Sequence, residues 1–308
     1  MSAWASERES RRRVAVSSDW PKFDPGRSSA VIVANAARHH EDAVEWALSS
    51  GVPVLVEKPI ALTAAAARRL ANAALERNVY FASAHVLLFA SYLEKFSSLV
   101  AGSGDIRRLH VRWMDPLNES RHGERKRFDP SLPIFMDCLP HVLSLAGSLT
   151  PKLPQRCENL QFLKGGSRLE LELMLGDIPC GVQLTRNGDR RERIVEVAAG
   201  QETLKLDFSE EPGIIVSGSA TMNADPDWAV KSHPVERMLT AFLRAAAGGE
   251  RDSRLDIEIG LRAGQVIDQA AGLYNSARTS WLAERLAASA GEVDDDLRYA
   301  LNETALPG

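Results

Sequence analysis

Three short apolar runs separated by two helical patterns constrain the fold of this chain more than any other feature. The runs span residues 29–34, 52–56 and 79–84, and each has the length of a buried strand. The segments between them, 39–50 and 64–77, carry apolar residues at helical spacing. Strands that alternate with helices predict right-handed crossovers and a parallel sheet.

Local signals place the ends of these two helices. Gly51 is expected to end the first helix, and Thr63 is expected to cap the second. Ahead of the apolar runs, residues 3–12 predict a short polar helix and residues 14–16 a brief strand.

After about residue 105 the pattern changes to strands without intervening helices. Residues 106–113 predict a strand, 139–148 a helix, and 168–175 a half-buried strand with four leucines on one face. Further strands are predicted at residues 180–185, 192–198, 202–207 and 213–217. Residues 235–246 and 257–276 predict amphipathic helices, and the acidic stretch 292–296 with the residues after it predicts a tail with one weak helix. We therefore expect a second domain on an open, mainly antiparallel sheet.

Composition argues against several classes of protein. The chain has 308 residues, a net charge of −4 and a pI near 6.0, which does not favour binding to nucleic acid or to an anionic membrane. No window approaches the roughly 18 apolar residues that a membrane span requires. Cys138, Cys157 and Cys180 are far apart and show no C-x-x-C spacing, which predicts a reducing, cytoplasmic environment without disulfide or metal site.

The second apolar run ends abruptly in Glu57-Lys58-Pro59. Ligands of open α/β sheets bind at the carboxyl ends of the strands, so this edge is the first candidate for chemistry. The alternative is a surface lysine that pairs with Glu57.

These residues belong to a longer series of motifs. The series comprises residues 31–40, residues 51–63 with their Glu57-Lys58-Pro59, His85, and the element from Asp137 to His141. Over residues 14–283 their order and spacing resemble the glucose-fructose oxidoreductase, inositol dehydrogenase and rhizopine-catabolism (Gfo/Idh/MocA) family. That resemblance implies a nicotinamide-dependent oxidoreductase with NAD or NADP as cofactor.

The resemblance also implies roles for individual residues. Lys58 and His141 become the candidate proton donors and acceptors, and Asp137 positions or tunes them. As an acid, Lys58 would need a pKa lowered toward neutrality. A cis bond before Pro59 is a further expectation. The implied cofactor contacts are Asn35, Ala36, His40, Glu57, Lys58, Pro59 and His85. In the alternative interpretation, Asp137 caps a helix that starts near Pro140, and His141 is a core histidine.

One family element is missing from the sequence. No G-x-G-x-x-G occurs, although this motif normally holds the pyrophosphate of the dinucleotide. We therefore predict an incomplete, truncated Rossmann-like parallel sheet in residues 1–110. An α+β domain for substrate binding and oligomerisation is predicted in residues 111–308. A truncated reading of a longer gene is one explanation that the sequence leaves open.

A basic loop precedes the Asp137 element. Arg121 and Arg125 can pair bidentately with a phosphate or carboxylate of a substrate, or can form a solvated loop with Glu119 and Glu124.

Two functions remain open at this stage. The first is hydride transfer on a hydroxyl or carbonyl carbon of a sugar, cyclitol or similar metabolite. The second is a redox-silent homologue that acts as a cofactor-free lyase, isomerase or cyclase, or as a binding subunit. The resemblance further implies a homo-oligomer formed through the antiparallel sheet.

Overall fold

The computed structural model describes residues 29–121, 124–125, 132–150, 155–288 and 294–302, together with Ser18. The helix predicted over residues 3–12 and the strand over 14–16 lie outside these residues.

The first described layer is a small parallel sheet. Its strands β1 (Val31–Val33), β2 (Val54–Glu57) and β3 (Phe81–Ala84) lie in the order β1-β2-β3, and both neighbouring pairs are parallel. Helices α1 (His40–Ser49) and α2 (Ala64–Glu76) connect them. The predicted alternation of strands and helices is confirmed.

The remaining elements follow in chain order. They are α3 (Ser91–Gly102), β4 (Ile106–Pro116), β5 (Ser120–Arg121), β6 (Glu124–Arg125), α4 (Ile134–Leu149), β7 (Gln155–Leu163), β8 (Arg168–Leu175), β9 (Ile178–Gly188), β10 (Glu192–Ala199), β11 (Glu202–Asp207), β12 (Ile214–Ser217), β13 (Ala220–Asn223), α5 (Pro234–Ala246), α6 (Ile257–Ala288) and α7 (Asp295–Asn302). Short 3₁₀ turns span Ala37–His39, Val86–Phe89, Lys164–Gly166 and Ser253–Leu255.

Eight of these strands form the second sheet, in the order β13-β12-β11-β10-β4-β9-β8-β7. Every neighbouring pair is antiparallel except β4 and β9, which are parallel. The four leucines of β8 are buried on one face, as their alternation predicts. The mainly antiparallel sheet is thus confirmed, although β7 and β13 were not predicted.

The predicted end of α1 and the predicted cap of α2 are both confirmed. Gly51 follows α1 with φ +69°, a conformation that glycine adopts without steric cost. The Thr63 hydroxyl accepts a hydrogen bond from the backbone N–H of Ala66 at 3.2 Å and caps α2.

Helix α4 differs from its prediction. It begins at Ile134, directly after Pro133, so the expected start near Pro140 is wrong. Pro140 lies inside the helix, where it removes one backbone hydrogen bond. The helix tolerates this loss because its apolar side chains are almost all buried in the main hydrophobic core.

The C-terminal helices are also more extensive than predicted. Helix α6 continues to Ala288, twelve residues beyond the predicted end. Its distal part packs on β7, where Trp281 contacts Phe162 at a ring separation of 5.5 Å. Helix α7 is not a loose tail, because its Leu297 and Ala300 are fully buried.

Both faces of the parallel sheet are covered. Val56 points toward α1 and α2, whereas Leu55 points to the opposite face and packs in a cluster with Phe242 of α5. The start of α6 also reaches this sheet, because a Cβ on Gly260 would lie 2.5 Å from Ile60 Cδ1. The predicted division at residue 110 stays a prediction, and segments beyond residue 233 return to the first layer.

None of the helices within the described ranges is long and apolar enough to cross a membrane.

Candidate active site

Lys58 follows β2 at the carboxyl edge of the parallel sheet, and its peptide bond to Pro59 is cis, as predicted. Its Nζ donates to Asp137 Oδ1 at 2.7 Å and to the Asp137 backbone carbonyl at 2.9 Å. The Lys58 side chain is 14% exposed. Glu57 pairs instead with the backbone, since its Oε2 accepts from the Lys58 N–H at 3.3 Å. Lys58 is therefore not the surface partner of Glu57.

The contact with Asp137 determines the charge of this pair. Burial alone would lower the pKa of Lys58, but the nearby Asp137 carboxylate raises it above the ordinary value. Burial likewise favours the neutral form of Asp137, yet Lys58 and Arg186 hold the pKa of this carboxyl well below its usual range. The lowered pKa that the sequence analysis required of an acidic Lys58 is therefore not found, because the ammonium is paired with a carboxylate.

His141 lies one helical turn after Asp137 on α4. Its ring stacks on Trp113 of β4, with centroids 5.2 Å apart and an interplanar angle of 8°. Burial and the positive charge of Lys58 hold the pKa of His141 well below its ordinary value and outweigh the opposing effect of Asp137. His141 is therefore a neutral imidazole at physiological pH, next to an ammonium group.

Trp113 also contacts a cation on the neighbouring strand of the antiparallel sheet. Arg193 is paired with Trp113 across β10 and β4, and its Cζ lies 3.9 Å from the centre of the indole. The same guanidinium forms a buried ion pair with Asp115 and donates to the Met114 carbonyl at 2.6 Å. These contacts hold the ring of Trp113, on which the His141 ring stacks, in place.

Arg186, near the end of β9, belongs to none of the sequence motifs, and neither does Arg193. Arg186 is only 5% exposed, and its Nη2 lies 3.4 Å from Asp137 Oδ2. The sequence did carry a signal, because Asp115, Arg186 and Arg193 each occupy an inward-facing position of an alternating strand. A charge at a core position requires a buried partner.

His40 supports the loop that carries Lys58. Its Nδ1 lies 2.7 Å from the Pro59 carbonyl, and its Nε2 lies 3.1 Å from the Asn35 carbonyl. The side chain is 1% exposed. The ring thus bridges the ends of β1 and β2, while Asn35 is exposed and Ala36 half-buried beside it. The predicted cofactor contacts of these three residues stay predictions.

His85 follows β3 and is also buried. Its Nε2 lies 3.0 Å from the Ser83 hydroxyl, while Nδ1 has no hydrogen-bond partner among the described residues. Burial and the charge of Lys58 lower the pKa of His85 to about 4. A small cavity beside this ring is lined by Lys58, Pro59 and Pro140 among others.

Asp115, Asp137 and Cys138 place potential metal-ligand atoms within 4.8 Å of one another. Both carboxylates, however, already pair with protein cations, Arg193 for Asp115 and Lys58 for Asp137. Burial also raises the pKa of the Cys138 thiol, which keeps it protonated and makes it a poor ligand.

The predicted substrate residues Arg121 and Arg125 lie on β5 and β6, which pair with each other. Only their backbone is described, so their role stays a prediction.

Comparison with known proteins agrees with this geometry. Residues 7–85 match the model of the GFO_IDH_MocA family, described as an oxidoreductase family with an NAD-binding Rossmann fold. This part of the chain is therefore similar to the Gfo/Idh/MocA family. Lys58, Pro59 and His85 all fall inside the matched Gfo/Idh/MocA segment, whereas Asp137 and His141 come from outside it. No curated protein matches the chain.

Solved structures extend the similarity of fold beyond the Gfo/Idh/MocA segment. One is the UDP-N-acetylglucosamine 3-dehydrogenase GnnA from Acidithiobacillus ferrooxidans, which is 21% identical in sequence. The match covers 78% of this chain and 76% of that chain, and its TM-score is 0.63. Another is KijD10, a 3-ketoreductase from Actinomadura kijaniata in complex with TDP-benzene and NADP, with 17% identity, the same two coverages and the same TM-score. The described layers therefore share the fold of these two solved proteins.

Proposed function

We propose that the protein transfers hydride between a nicotinamide cofactor, NAD or NADP, and a hydroxyl or carbonyl carbon of a sugar-like metabolite. The observation that supports this most is the cluster of Lys58, Asp137 and His141 at the carboxyl edge of the parallel sheet. Within it, one group is held as an ammonium and its neighbour as a neutral imidazole. Titratable groups whose pKa values are pushed apart in this way are suited to paired acid and base roles.

The residues at this edge fit the nicotinamide end of the cofactor. His85 offers a buried ring nitrogen that no described residue uses, and Lys58 and Pro59 line the same small cavity. When bound, the nicotinamide supplies or accepts the hydride. His40 uses both ring nitrogens on backbone carbonyls, so we propose that it supports the cofactor edge by holding the loop at Pro59.

The proton chemistry follows from the charges of the two groups. In carbonyl reduction the ammonium of Lys58 donates a hydrogen bond and then a proton to the substrate oxygen. In the oxidation direction the proton takes the same route in reverse, from the substrate hydroxyl to the Lys58 amine, and the neutral His141 can accept it from Lys58 and release it. Asp137 keeps Lys58 charged and fixes its position. General acid–base steps of this kind contribute about 100- to 10,000-fold to rate.

The solved neighbours suggest the class of substrate. One is named for a UDP-linked sugar, and the other was solved with a TDP derivative and NADP. We therefore propose a sugar or a sugar nucleotide as substrate of this chain, with Arg121 and Arg125 as candidate contacts to its anionic group.

The proposal includes three further features. The first is a functional division near residue 110 between cofactor and substrate parts. The second is a homo-oligomer through the outer face of the antiparallel sheet, where Arg112 and Glu196 form a half-exposed ion pair. The third is a cytoplasmic location, which fits three buried cysteines that form no disulfide. Light scattering at several protein concentrations tests the oligomer, since a monomer mass throughout would contradict it.

The central experiment measures nucleotide binding first and turnover second. Isothermal titration with NADH and NADPH is followed by a panel of UDP- and TDP-linked sugars with absorbance at the nicotinamide band. We expect one nucleotide to bind and one class of sugar to be turned over by the native chain. Lys58→Met should lower turnover about 100-fold or more, whereas Lys205→Met, at a partly exposed position, should not. If neither nucleotide bound at millimolar concentration, the redox-silent alternative would replace this proposal.

A further inference from the structure

The C-terminal helix α7 contacts the back of the acid–base cluster through a chain of polar groups. Burial alone would lower the pKa of the Arg186 guanidinium, but Tyr299 of α7 raises it, in part through a side-chain hydrogen bond. Arg186 donates from Nη1 to the Leu132 carbonyl at 3.1 Å, and its Nη2 lies 3.4 Å from Asp137 Oδ2. Asp137 in turn accepts from Lys58 Nζ at 2.7 Å through its other carboxylate oxygen. Three side chains, those of Tyr299, Arg186 and Asp137, therefore connect the last described helix to the candidate acid Lys58.

This arrangement fixes the orientation of the Asp137 carboxylate. Its two oxygens are divided between two cations, Lys58 on Oδ1 and Arg186 on Oδ2. Because Arg186 also bonds the carbonyl of Leu132, just ahead of α4, the plane of its guanidinium is held from two sides. A planar donor that is fixed in this way resists rotation of its carboxylate partner.

Specific contacts hold α7 itself in place. A Cβ on Gly165 would lie 1.9 Å from the Asp296 carbonyl, so only glycine permits this close approach. At the other end of the helix, Arg278 of α6 donates to the Ala300 carbonyl at 2.8 Å. Leu297 is buried between these two contacts. The position of Tyr299 is thus set by tertiary packing and not by local helix propensity alone.

We propose that Arg186, supported by Tyr299, is a positioning residue that orients Asp137 toward Lys58. The C-terminal helix is then part of the architecture of the active site. The geometric part of this inference is independent of the reaction, and its consequence for turnover rests on the proposed function.

The test observes the ammonium group of Lys58 directly in the full chain. Protein labelled with ¹⁵N-lysine is examined by NMR, and Lys58→Arg identifies the Lys58 signal by its disappearance. An ammonium held by two oxygens exchanges its protons slowly with water. In Tyr299→Phe, which keeps every charge, we expect this exchange to accelerate about twofold or more, the low end of coupling within one hydrogen-bond network. Arg298→Gln, one residue earlier on α7, should leave it unchanged.

A second pair of variants tests the docking of the helix. Gly165 and Gly218 both have positive φ values, +63° and +57°, so alanine strains either backbone. Only at Gly165 would the new Cβ also meet α7, whereas Gly218 faces open space. Gly165→Ala should therefore reproduce the effect of Tyr299→Phe on the Lys58 signal, and Gly218→Ala should not. Circular dichroism confirms that each variant is folded.

Tyr299→Phe decides the outcome. A Lys58 exchange rate equal to that of the native chain would overturn the inference. Where a substrate has been found, Tyr299→Phe should also lower kcat and leave the affinity for NADH or NADPH unchanged. Failure to find any turnover in the native chain would refute the proposed function and leave the ammonium measurement intact, so the two failures are distinguishable.

Discussion

Lys58 donates to both the carboxylate and the backbone carbonyl of Asp137, at 2.7 and 2.9 Å. The two residues are 79 positions apart in the chain and lie on different layers of the fold. One side chain thus joins the loop after β2 to the first turns of α4. The double contact fixes both the charge and the position of the ammonium, and four predictions follow from this region of the molecule.

Replacing Lys58 by methionine should remove the proton donor and leave the chain folded. We expect turnover to fall about 100-fold or more, the contribution of a positioned acid or base. Stability should fall by about 1 to 3 kcal/mol, because the Asp137 carboxylate loses one partner and keeps Arg186. Turnover and urea unfolding measure the two effects. Unchanged turnover would remove Lys58 from the mechanism.

Asp137→Asn should move the alkaline limit of carbonyl reduction to lower pH. The charge of Asp137 raises the pKa of Lys58, whereas burial lowers it. Without that charge the ammonium loses its proton at lower pH, and the acid form disappears as the pH rises through the new pKa. A pH–rate profile of the reductive reaction, with Asp42→Asn as an exposed control, measures the shift. A profile identical to that of the native chain would mean that another group is the acid.

His85 should make the protein sensitive to acid. Its pKa is about 4 in the folded state, against 6.5 as the ordinary value. As the pH falls, His85 is therefore protonated in the unfolded chain before it is protonated in the folded chain. Its contribution to the free energy of unfolding is complete above pH 6.5 and decreases as the pH falls toward 4. At pH 4.5 this loss amounts to about 2 to 3 kcal/mol. His85→Gln should reduce the difference in unfolding free energy between pH 7 and 4.5, whereas His39→Gln, at an exposed position, should not.

His40→Phe should destabilise the edge that carries Lys58. The change keeps a ring of similar size but leaves the carbonyls of Asn35 and Pro59 without their imidazole contact. An unsatisfied buried polar group costs about 1 to 3 kcal/mol. Thermal unfolding should show a loss in this range for His40→Phe and almost none for His39→Phe. Equal stability of the two variants would contradict the bridging role.

Much of the fold was predictable from local pattern. Strands and helices were predicted correctly from the three apolar runs, the helical patterns between them and the four leucines of β8. The period at which apolar residues recur shows which face of an element is buried. The start of α4 was missed because a proline inside a helix imitates a helix start. The far end of α6 was missed because it packs on β7, a strand that was not itself predicted.

The candidate site likewise has features that the sequence predicted and features that it did not. The sequence alone singled out Lys58, Asp137, His141 and His85 as candidates, because they belong to short motifs, although it placed the start of α4 too late in the chain. It could not determine their charges. The pKa of Lys58 depends on a carboxylate brought from another layer, and the support from Arg186 and Tyr299 depends on strands and helices far apart in the chain. Burial and Coulomb interactions are set by distance in space, so only the tertiary structure decided which of these groups is the ammonium and which the neutral base.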